Sequence, residues 1–157
     1  LLARAYLYLG VIEALAAMAA FFFVLNLGGW EYGQALAKTE SLYLQATTAC
    51  LAAIVVMQVV NVFLCRHPRE SAFAFGLLSN PLILWGIAIE IALILAIAYT
   101  PWGNAVFGTA PIGADAWLFM LPFAAAMLAL EEGRKAFMRR RAVAQGQGRV
   151  AHDSGPS

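Results

Sequence analysis

The chain alternates between long stretches in which nearly every side chain is apolar and short breaks that are polar or rich in Gly and Pro. Four apolar stretches stand out, at about residues 4–26, 43–64, 81–99 and 116–132, separated by Asn26 to Ser41, Cys65 to Asn80 and Thr100 to Asp115. About 20 apolar residues in helix cross the hydrocarbon core of a bilayer. Backbone in lipid must satisfy its own hydrogen bonds, and within a single segment only a helix does so. The pattern predicts an all-α integral membrane protein, a bundle of four spanning helices.

Composition agrees. Of 157 residues, 62% are hydrophobic and 12% charged, and mean hydropathy is +0.76. Soluble domains carry about a quarter charged residues, so there is too little charge here to coat a water-soluble surface. The formal net charge of +1 offers no basic bulk for nucleic acid. Cys50 and Cys65 fall on one predicted helix, about 22 Å apart at 1.5 Å per residue, too far to form a disulfide with each other. With no CxxC and no Cys/His cluster, no structural zinc site is expected. The apolar run from Ala5 to Leu25 is too long for the core of a signal peptide.

The distribution of charge sets an expected orientation. Arg4, then Arg66 and Arg69, then Arg134, Lys135, Arg139, Arg140 and Arg141 all fall on one side if the spans alternate. Lys38 lies opposite, with Glu31, Glu40 and Asp115. The positive side should be cytoplasmic, so both termini are expected inside a multi-pass protein of the cell membrane. Trp30, Tyr43, Tyr99, Trp102 and Trp117 sit where an outer aromatic belt belongs. Residues 1–141 read as the membrane domain, with Arg134, Lys135 and Arg139 to Arg141 as its cytoplasmic anchor among lipid headgroups. The tail 142–157, rich in Gly, Gln and Ser, reads as disordered.

Polar residues inside the spans carry the candidate chemistry, because ionisable groups in hydrocarbon are costly and face the bundle interior. Gln58 and Asn61 stand three residues apart, on one face of the second span. Glu90 lies at the middle of the third span and Glu13 near the middle of the first. Carboxylate and amide oxygens can replace water around a hard cation. The same groups could equally serve as hydrogen-bonding links between helices. Pro122 is expected to kink the fourth span, and Thr47 and Thr48 to bond back to their own helix.

Two stretches are more specific. Ile54 to Gly76, IVVMQVVNVFLCRHPRESAFAFG, resembles the eighth membrane helix of P2-type cation-transporting ATPases and its cytoplasmic exit. Ala116 to Arg141, AWLFMLPFAAAMLALEEGRKAFMRRR, resembles their last helix, with Trp117, Pro122, Glu131, Glu132, Arg134 and Lys135 at matching spacing. The opening LLARAYLYLGVIEALAAMAAFFFVL is similar to helix seven, and LILWGIAIEIALILAIAYTPWG to helix nine. The likeness covers residues 1–141 and is nearest the sodium/potassium- and calcium-pump branches.

That resemblance implies four helices that brace a ten-helix transport domain and supply secondary ligands for Na⁺, K⁺ or Ca²⁺. Gln58 matches a helix-eight position that is Gln in sodium pumps and Glu in calcium pumps. Asn61 matches Asn in calcium pumps and Asp in sodium pumps, and Glu90 matches a helix-nine acid of sodium pumps. Ile89 stands where sodium pumps carry a second acid, so the resemblance leaves the ion open. The family's DKTGT, TGES and GDGxND strings do not occur, and no stretch is long enough for a catalytic domain. No ATPase activity and no cofactor are expected of this chain alone. ATP and Mg²⁺ would belong to the complete pump, whose other helices and cytoplasmic domains would be its partners. The opening at Leu1, already inside a span, suggests part of a longer pump. The alternatives are a freestanding four-helix protein: a small proton-coupled exporter using Glu13, or an accessory subunit of a pump.

Overall fold

A computed structural model describes the backbone of residues 2–65 and 80–153 and the side chains of residues 8–64 and 80–141. The expected cytoplasmic loop around Arg66, His67 and Arg69, the segment 71–78 and the side chain of Arg4 lie outside the described residues. The regular structure of the described residues is all helical: α1 (Leu2–Leu27), α2 (Ser41–Cys65), α3 (Pro81–Tyr99), the short α4 (Pro101–Phe107) and α5 (Ala114–Asp153). Four of these are long and apolar enough to cross a membrane, over Tyr8–Leu27, Ser41–Leu64, Pro81–Tyr99 and Ala114–Arg141.

Local chemistry sets the ends. α1 stops at a glycine-based C-terminal motif: Gly29 has φ 77°, its amide donates to the Asn26 carbonyl, and the Trp30 amide donates to Leu25, both at 3.0 Å. α3 starts at Asn80, whose side-chain oxygen accepts from the Leu82 amide at 3.0 Å, with Pro81 in the first turn where no N–H is needed. Thr100 serves two helices. Its hydroxyl donates to the Ala96 carbonyl at the end of α3 and accepts from the Gly103 amide at the start of α4.

α1, α2 and α5 pack on one another, whereas α3 packs along α2 and α4 and meets α5 through a hydrogen bond between Tyr99 and Trp117. The seam of α1 with α2 is built of alanines: Ala16, Ala17 and Ala20 against Ala46, Ala49, Ala52 and Ala53, all buried. Small side chains let two backbones approach closely, which is how helices associate where lipid competes equally for apolar surface. Phe23 of α1 stacks on Phe119 of α5 with ring centroids 4.0 Å apart. A second cluster of Leu9, Ala16, Met57, Leu64 and Met127 fills the other half of the bundle. The pairs Phe21–Tyr43, Lys135–Leu64 and Tyr99–Trp117 fix an up-down-up-down course of the four long helices, in which α2 and α5 run the same way.

Two features depart from the sequence reading. The last helix does not finish near residue 132. Its buried stripe of Ala116, Met120 and Met127 continues at the same helical spacing through Glu131 and Lys135. Nor does the helix end where the composition turns polar; it stays helical to Asp153 and is continuous through Pro122. Ala, Gln and Arg are strong or tolerable helix formers, so a helix already nucleated can propagate through them.

Candidate functional site

Gln58, Asn61 and Glu90 come together. They line one recess of about 280 Å³ between α2 and α3, with Val62 as the fourth lining residue. Gln58 and Asn61 share a face of α2 because they are less than one turn apart, and Glu90 meets them from the middle of α3. The recess is open on one side: Gln58 is exposed, whereas Asn61 and Glu90 are half-buried. Two carboxamides and one carboxylate thus present oxygens to a space large enough for a cation and its remaining waters. Glu13 is half-buried on α1 and is not among the residues lining this recess.

The position of α3, and so of Glu90, rests on a hydrogen-bonded clasp at one end of the bundle. Tyr99 at the end of α3 donates its hydroxyl to the Ile112 carbonyl and accepts from the Trp117 indole, both at 2.8 Å. The buried Thr109 hydroxyl donates to the Ile97 carbonyl at 2.7 Å. The Asn104 carboxamide nitrogen, in the orientation that satisfies its neighbours, reaches the Ile97 and Ala98 carbonyls at 2.9 and 3.0 Å. Thr48 ties the clasp to α2: its hydroxyl donates to Leu44 at 2.7 Å and accepts from the Ala110 amide at 2.9 Å. Gly103 lets α4 fold back on α3, since a Cβ there would stand 2.4 Å from the Ala96 carbonyl oxygen and 2.7 Å from Ile97 Cα.

At the other end, the charged residues of α5 divide into two kinds. Arg139, Arg140 and Arg141 follow Lys135 along α5, with the Arg141 guanidinium 4.4 Å from the centre of the Phe137 ring. Lys135, expected among these surface anchors, is instead completely buried. Its Nζ donates to the Leu64 carbonyl at 2.8 Å and lies 3.8 Å from a Glu132 oxygen. Arg134 grips the buried Glu131 carboxylate through both Nε and Nη2. The Thr47 and Thr48 hydroxyls donate back to Tyr43 and Leu44, as the sequence implied. The Ala110 partner of Thr48 and the burial of Lys135 had no local signal, because both arise from residues more than 60 positions away.

This architecture defines a four-span helical membrane domain, with two carboxamides and a carboxylate gathered between two of its spans. The chain belongs to the family described as cation transporting ATPase, C-terminus, whose model matches residues 1–137. Sodium/potassium-transporting ATPase subunit alpha-2 of Gallus gallus is 26% identical over 164 residues, covering 89% of this chain and 16% of that protein. Subunit alpha-4 of Rattus norvegicus is also 26% identical, over 90% of this chain and 16% of its own length. A probable cation-transporting ATPase F of Mycobacterium bovis is 35% identical over 83 residues, covering 53% of this chain and 9% of that protein. The chain spans no more than 16% of these proteins.

Proposed function

We propose that the chain serves as the C-terminal membrane portion of an ATP-driven cation pump, and that Gln58, Asn61 and Glu90 supply oxygen ligands along its ion path. The observation that carries this reading is the convergence of all three side chains on one recess from two helices. A lone carboxylate within a span is costly unless it is paired or occupied. An ion held jointly by Glu90 and the two carboxamides would supply that partner. ATP and Mg²⁺ would act in the pump's other domains, and the open side of the recess would face its remaining helices.

The cation is taken to be monovalent. One carboxylate and two carboxamides carry a single negative charge, whereas sites selective for divalent ions gain affinity from a higher ligand charge. The sodium/potassium-transporting relatives agree with this reading. Both ends of the chain are placed in the cytoplasm by the same logic of positive charge, with Lys38 on the far side of the membrane.

The experiment is to make Glu90→Gln and Gln58→Leu in the full-length pump and to measure ATP hydrolysis against sodium, potassium and calcium in turn. An increase of about tenfold or more in the half-saturating concentration of one monovalent cation supports the reading. Unchanged cation dependence for both variants sinks it.

A further inference from the structure

We infer that Lys135 is a positioning residue for the cation recess, acting through the end of α2. The inference rests on the cation reading of Gln58, Asn61 and Glu90 given above. Among the described residues Lys135 is the largest of the completely buried side chains, and its ammonium donates to a backbone carbonyl. That carbonyl, of Leu64, lies in the last turn of α2, where the final carbonyls of a helix have no partner within it and carry its negative pole. A cation at this place both satisfies the carbonyl and complements the dipole. Glu132, 3.8 Å from Nζ, offsets part of the cost of burying the charge.

The location gives the contact its consequence. Leu64 is one turn beyond Asn61 and six residues beyond Gln58, so the clamp acts about 9 Å along the axis from the farther ligand. The side chain that holds α2 comes from α5, while the ligands look toward α3. Lys135 thus holds α2 from behind and fixes its rotation and height where its two carboxamides face Glu90. α3 is tied to α5 at the opposite end of the bundle, where Tyr99 accepts from the Trp117 indole, while the recess itself is lined by residues of α2 and α3. A residue needed only to fill space here would work as well or better if apolar. The ammonium is suited to a different task, which is to fix where a helix end sits.

The test uses the full-length pump, purified and reconstituted in lipid, with ATP hydrolysis titrated against sodium, potassium and calcium chlorides separately. Lys135→Met keeps the length and the burial but removes the charge and the donors. It is expected to raise the half-saturating concentration of the activating cation about tenfold, the usual scale for losing a group that orients a ligand, with the maximal rate retained. Lys135→Arg, which keeps charge and donors, is expected to return most of that affinity. If Lys135→Met does not accumulate, Lys135→Gln, a neutral donor, is read by the same criterion. A Lys135 variant with lower yield but unchanged half-saturation overturns the inference and leaves a purely structural role. If Glu90→Gln shifts the half-saturation and Lys135→Met does not, the cation reading stands and only the role of Lys135 falls. If neither shifts it, both fall.

Discussion

The Thr48 hydroxyl on α2 accepts a hydrogen bond from the Ala110 amide at 2.9 Å, across 62 residues of sequence, while donating to the Leu44 carbonyl of its own helix. Both groups are buried, and this is a polar link between α2 and the segment that ends the α3–α4 unit. Thr48→Val keeps the shape and removes the acceptor, leaving the Ala110 N–H without a partner. A buried unsatisfied amide costs about 1–3 kcal/mol. Thermal unfolding in detergent should show that loss, whereas Thr48→Ser should be near neutral.

Gly103 is required by the close return of α4 onto α3. An added Cβ would meet the Ala96 carbonyl oxygen and Ile97 Cα, both backbone atoms that cannot swing aside. Gly103→Ala should destabilise the protein by about 1–3 kcal/mol, the usual range for overpacking. Since Tyr99 and Trp117 share a hydrogen bond nearby, tryptophan fluorescence would follow the loosening. Unaltered stability would mean that α4 does not lie against α3.

The alanine seam sets the distance between α1 and α2. Ala49 is completely buried there, so Ala49→Leu has no space to enter and should force the helices apart. About 1–3 kcal/mol of destabilisation is expected, measurable as a lower melting temperature in lipid nanodiscs. Ala92, exposed on α3, is the control, and Ala92→Leu should leave stability unchanged.

Charge in the recess should govern ion preference. Gln58→Glu adds a second carboxylate beside Glu90. In the full-length pump, binding of calcium relative to sodium should rise about tenfold, because divalent affinity follows the ligand charge count. Competition binding with radioactive calcium would measure the ratio. An unchanged ratio would place the ion elsewhere.

Topology is open to direct labelling. With both termini cytoplasmic, a cysteine placed at Lys38 should react with an impermeant maleimide added outside intact cells, and one at Arg140 only after permeabilisation. The reverse result would invert the orientation drawn from the arginines.

Much of this molecule was legible in its sequence. Four apolar runs of bilayer length could only be spanning helices, since lipid offers backbone groups no other partner, and the helices stand where the runs do. The three-residue spacing of Gln58 and Asn61 placed both on one face before any packing was known. The sequence placed Glu90 only at the middle of the third span, and the fold brought it to that face by laying α3 along α2. Tertiary structure alone decided the rest. Thr48 became a bridge because the α4–α5 connection brings Ala110 within reach. Lys135, which looks by composition like one more surface cation, is buried because the inward stripe of α5 passes through its position and the carbonyl of Leu64 waits there. Hydropathy and periodicity report what each segment can bury against lipid or a neighbour. Which neighbour it meets depends on partners far away in the chain, and local sequence carries no record of them.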